Sequence, residues 1–80
     1  MFTAVPGDVI LRASIDGSFH VLDATSFARV TGPLPLAAAL AYAYDLGAPH
    51  IFQQAVDRRG RPMGDPARFG DVDARANNIV

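Results

Sequence analysis

The residues able to do chemistry are few and scattered. His20, His50, Asp23 and Asp57 are the candidate metal ligands. Zinc asks for three or four ligands at close spacing, and the two histidines fall at no such interval. Ser14, Ser18 or Ser26 beside His20 makes no nucleophile elbow, and serines flanking a turn signal serve the turn. Cysteine is absent, which removes thiol nucleophiles and thiolate metal sites together. No glycine-rich run opens a helix, and Gly32-Pro33 lacks the amide at Pro33 that a phosphate cradle would use. The sequence therefore assigns no catalytic, cofactor-binding or metal residue.

One cluster remains, the arginines of "DRRGRPMGD". Arg58, Arg59 and Arg61 surround Gly60 and precede Pro62, in the order of a minor-groove hook for A·T-rich DNA, where narrow grooves attract arginine. Asp57 and Asp65 bracket the cluster and an expected strand leads into it, so a solvated turn between strands is the preferred reading. Tyr42 and Tyr44 diverge on a helix and lack the basic groove that base-stacking aromatics normally accompany.

The whole chain gives the hook little support. Its 80 residues carry seven basic and eight acidic side chains, a net charge of −1. Phosphate recognition normally shows a clear basic excess. Every basic residue is arginine and every acidic one aspartate, to which no function is attached. The first residues, "MFTAVPGD", lack a basic n-region and a long apolar run. The apolar stretch "PLPLAAALAYAYDLG" is shorter than the roughly 20 residues that span a bilayer. These features assign the chain to the cytoplasm with no membrane partner.

The elements that position these residues follow from periodicity and turn chemistry. "DVILRAS" and "SFHVLDA" flank Asp16-Gly17 and predict a hairpin. A two-residue loop would mix polar and apolar side chains on each face. A three-residue loop with Gly17 left-handed sets Ala13 opposite Phe19, Leu11 opposite Val21 and Arg12 opposite His20. Val9, Leu11, Ala13, Phe19 and Val21 then face a core, with Ile10 and Leu22 paired on the other side. Thr31 or Gly32 is expected to cap a helix over about residues 34–46, ended by Gly47 and barred from resuming by Pro49. "HIFQQAVD" reads as a third strand, "RRGRP" as a turn, and "MGDPARF" as a short fourth strand that Pro66 confines to an edge.

The result is an α+β fold, a small ββαβ(β) domain with an antiparallel hairpin, a third strand and one helix packed on the sheet. Residues 1–69 form the single domain and residues 70–80 a loosely held tail. In the helix, Leu36, Leu40, Ala43 and Leu46 form the expected inward stripe. The opposite side offers Ala38, Ala41, Tyr42 and Asp45, with no lysine, arginine, glutamate or glutamine in the segment. A helix apolar nearly all round is covered on more than one side, and a small core needs a staple or a partner. A homodimer with Ala38, Ala41 and Tyr42 at the contact is the expectation, with the tail as the rival cover.

The order of "DGSFHVLDA", a linker ending in glycine-proline, an alanine-rich helix and "FQQAVDRRGRPMGDP" resembles a group of small bacterial hypothetical proteins with no assigned activity. It is similar, more distantly, to hairpin-helix-strand domains whose last strand ends in an aspartate-glycine-arginine turn. The resemblance spans roughly residues 8–69 and implies a ββαβ or ββαββ fold without a function or transferable site residues. The functional expectation is a non-enzymatic interaction or regulatory module acting as a homodimer, engaging another protein by its helix or a free sheet edge. A DNA-binding protein using the arginine turn is the alternative.

Overall fold

In the computed structural model, which describes residues 2–69, the elements run β1 (Val9–Ala13), β2 (Phe19–Asp23), α1 (Leu36–Asp45), β3 (Ile51–Gln54) and β4 (Ala67–Arg68). The strands form one mixed sheet in the order β2-β1-β3-β4. β1 is antiparallel to β2 and parallel to β3, and β4 returns antiparallel along β3. The helix packs on one face, so the class is α+β. The expected tail, residues 70–80, lies outside the described residues.

The hairpin register is set by its loop. Ser14 and Ser18 close it through the Ser18 carbonyl at 2.8 Å, leaving Ile15, Asp16 and Gly17 between them. Gly17 adopts φ 89°, a conformation open to glycine at no side-chain cost. The Asp16 carboxylate accepts from both the backbone N–H and the hydroxyl of Ser18. Ala13 then pairs with Phe19, Leu11 with Val21 and Arg12 with His20, as the alternation of apolar side chains requires.

The segment between β2 and the helix does more than connect. Asp23 accepts from Thr25, and Phe27 turns the chain at φ 63°. The chain then runs back along β2, with hydrogen bonds joining Asp23 to Ala28, Val21 to Val30, and Phe19 to Leu34 in both directions. The outer edge of β2 is thereby occupied by this chain's own backbone. This pairing also moves the expected helix start. Gly32 and Leu34 each precede a proline, which disfavours helical backbone there. Pro35, at φ −59° and ψ 156°, is the N-cap in place of Thr31 or Gly32, and the helix begins at Leu36. Its end is a Schellman motif: Gly47, at φ 73°, bonds the Tyr44 carbonyl and Ala48 that of Ala43.

Two cores lie on opposite faces of the sheet. Val9, Leu11, Val21 and Ile51 meet Ala39 and Ala43 of α1, flanked by the partly buried Phe19, Leu40, Tyr42 and Phe69. The expected stripe holds in its middle, where Ala43 is buried and Leu40 packs beside it, but is rotated at its ends: Leu36 and Leu46 stand 38% and 51% exposed, and Ala39 joins Ala43 in the contact. Alanines permit close approach to a surface already filled by branched strand side chains, where leucines would overpack it. On the other face, Ile10, Leu22, Ala24 and Phe52 pack beneath Phe2 and Ala4 of the N-terminal arm. β3 lacks a clean alternation because it lies between β1 and β4 and gives Ile51 to one core and Phe52 to the other.

Candidate functional site

The parallel pairing of β1 with β3 sets Val9 beside Ile51. Each strand is preceded by a polar residue, Asp8 and His50, and the register brings these two together. His50 Nδ1 lies 3.0 Å from Asp8 Oδ1. The other carboxylate oxygen of Asp8 accepts from the Val5 N–H at 2.9 Å, and the Asp8 N–H donates to the Val5 carbonyl at 3.1 Å. This turn swings the N-terminal arm over the second core. Gly7 permits it at φ 93°, where an added Cβ would come within 3.2 Å of Pro49. Asp8 is 1% exposed, whereas the His50 side chain is 36% exposed.

His50 opens onto a cleft of about 440 Å³ whose lining includes Phe2, Val5, Phe52, Asp65, Pro66 and Arg68. Phe2 stands edge-on to Phe52 with centroids 4.8 Å apart, and the Arg68 guanidinium lies 6.0 Å from the Phe52 centroid. The arrangement has a buried carboxylate, an imidazole oriented by it, and apolar walls. Asp8 and the arm carried no motif in the sequence. The signal lay in the parallel strand pairing, which places the residues before Val9 and Ile51 side by side.

The other half of this face is polar and hydrogen-bonded. Arg12 Nε donates to Gln54 Oε1 at 2.9 Å, and Gln54 Nε2 donates to the Gly64 carbonyl at 2.9 Å. His20 Nδ1 sits 3.1 Å from the Ser14 hydroxyl. His20 and His50 thus lie in separate networks, and Asp23 and Asp57 each hold a turn. Among the described residues no group of three or more histidine and acidic side chains could hold a metal ion.

The arginine turn is closed at its base. Asp57 donates its N–H to the Arg61 carbonyl at 2.8 Å, Gly60 returns to Asp57 at 2.9 Å with φ 83°, and Met63 bonds Ala55 at 2.9 Å. The Asp57 carboxylate accepts from the N–H groups of Arg59 and Arg61, and its other oxygen lies 3.4 Å from Arg61 Nε. The Arg61 N–H, aided by that of Arg59, holds the Asp57 carboxyl below its ordinary range. Arg58 and Arg59 are exposed at the tip. The loop is a compact hairpin end.

The helix surface is the remaining candidate. Ala37, Ala38, Ala41 and Tyr44 are exposed, as are Leu36 and Leu46 at its ends. Tyr42, expected at a dimer contact, is half-buried and packs against the first core, because the rotation that seats Ala39 and Ala43 carries it inward. Asp45 is the sole charge in the helix. No helix among the described residues is long and apolar enough to cross a membrane.

Comparison with known proteins finds no matching family model, no matching curated protein and no matching solved structure.

Proposed function

We propose that the protein is a non-enzymatic interaction module that associates as a homodimer through the outer face of α1. The observation that carries this reading is a helix exposing Leu36, Ala38, Ala41, Tyr44 and Leu46 with a single charge, Asp45, where a solvated helix would present a polar stripe. The small residues in the middle of the face suit a second helix at the near end of the usual interaxial range, about 8 Å. The outer edge of β2 is occupied and the opposite edge strand, β4, is only two residues long, which favours the helix over strand addition as the means of association. A chain of 80 residues also gains from outside burial, because its own core is small.

The test is the mass of the full chain by sedimentation equilibrium, beside Ala38→Glu and Ala41→Glu variants. Glutamate is a good helix former, so these exposed substitutions leave the fold intact. The parent is expected to be a dimer and the double variant a monomer with an unchanged circular dichroism spectrum. A parent that stays monomeric up to about 1 mM, a concentration at which even weak association registers, overturns the reading.

A further inference from the structure

We propose that the cleft beside His50 is a binding site for small planar molecules bearing a hydroxyl group, with His50 Nε2 as the atom that accepts their hydrogen bond. At 1% exposure the Asp8 carboxylate has both oxygens engaged, one by the Val5 N–H and the other by His50 Nδ1. An ionised carboxylate only accepts, so the hydrogen of the neutral ring resides on Nδ1 and the lone pair on Nε2. The buried anchor fixes the ring's orientation as well as its tautomer, as carboxylates do behind metal-ligating histidines.

The surroundings select the ligand. The cleft's 440 Å³ falls within the range of small-molecule sites, about 300–1,000 Å³. Phe2, Val5 and Pro66 give it apolar sides suited to a flat ring. Phe2 is braced edge-on against Phe52, which is itself 5% exposed and covered by Arg68, so the wall is preformed. Asp65 and Arg68 line the cleft beside the Asp8–His50 pair, so its charges are mixed, and the polar selection falls to His50 Nε2, which calls for a donor. A hydroxyl donating to Nε2 with its ring against the apolar part of the lining, Phe2, Val5 and Pro66, meets these conditions. The site lies on the sheet face opposite α1, so it stands or falls separately from the dimer.

The experiment is a ¹H–¹⁵N NMR titration of the full chain with phenol and, in parallel, with anisole, which has the same ring and no hydroxyl hydrogen. Phenol is expected to shift the amides of Val5, His50 and Phe52 saturably with a Kd of order 1–10 mM, and anisole to bind at least about fivefold more weakly. His50→Asn keeps an N–H for Asp8 in place of Nδ1 and deletes Nε2; it is expected to erase the preference for phenol. A two-bond ¹H–¹⁵N spectrum of the parent gives an independent reading, in which phenol shifts Nε2 of His50 and leaves Nδ1 nearly still. Non-saturating shifts, equal affinity for anisole, a retained preference in His50→Asn, or an unmoved Nε2 resonance would each overturn the proposal.

Discussion

Replacing Asp8 by alanine tests the anchor that holds the N-terminal arm. The carboxylate accepts from the Val5 N–H and from His50 Nδ1. Hydrogen bonds to a charged acceptor contribute about 1.5–3 kcal/mol each, and a buried partner left unpaired costs a further part of its desolvation. His50 is half-exposed and can turn to water, so its share belongs at the low end. Releasing the buried charge itself offsets part of the loss. The expected net destabilisation is about 3 kcal/mol, a large fraction of the roughly 4–12 kcal/mol available to a domain of this size. With a urea m-value of about 1 kcal/mol per M, the midpoint should fall by about 3 M. His50→Ala should cost less, about 1–2 kcal/mol, because it removes one donor and admits water to Asp8. His50→Asn should cost under about 1 kcal/mol, since its side-chain N–H can still reach the carboxylate. Urea unfolding followed by circular dichroism gives all three values. An Asp8→Ala variant within about 0.5 kcal/mol of the parent, or a His50→Asn variant no better than His50→Ala, would refute the reasoning.

Two further outcomes follow from the turns and the helix contact. The Ser18 hydroxyl lowers the Asp16 carboxyl below 3.8, the Thr25 N–H lowers Asp23 and the Arg61 N–H lowers Asp57. Each folded-state value is depressed, so the stabilisation is present above about pH 4 and is lost as pH falls through the lowered values. Asp→Asn changes at all three positions should flatten the decline of the unfolding midpoint between about pH 4 and pH 2; an undiminished decline would assign it to other groups. Ala43→Leu should destabilise by about 1–3 kcal/mol, because Ala43 is fully buried against the sheet and added atoms force α1 outward. The same change at exposed Ala41 should leave monomer stability within about 0.5 kcal/mol in urea melts at low protein concentration.

Legibility in the sequence tracked how local each determinant was. The hairpin register could be read because Gly17 fixes the loop and a one-residue slip would exchange every face. The end of the helix at Gly47 and the closed turn at Gly60 were legible for the same reason, each resting on one residue's backbone freedom. The helix rotation was not legible. Leu40 and Ala43 of the expected stripe do meet the sheet, but Leu36 and Leu46 at its ends do not, and Ala39 takes the inward place over a surface already filled by Val9, Leu11 and Val21. The strap along β2 was hidden because its pairing is long-range and its composition reads as a loop. Asp8 and His50 were hidden more deeply, since their meeting depends on a parallel register between strands far apart in sequence.

That register also explains why so short a chain can use two sheet faces. A four-stranded sheet with one helix leaves the second face to water unless something else covers it. Here residues 2–5 do so without secondary structure of their own, with Phe2 and Ala4 over Ile10, Leu22 and Phe52. An unstructured strap loses backbone entropy of about 1–2 kcal/mol per residue when it is fixed, which the burial of one phenylalanine and one alanine offsets only in part. The Asp8 carboxylate adds to the hold by bonding Val5 at the strap's base and His50 at the start of β3, tying the arm to two adjacent strands at once. The residue that fastens the arm over the second core is thereby the residue that orients the imidazole at the cleft. Stability of the arm and geometry of the cleft share one cause, and His50→Asn is the substitution that separates them.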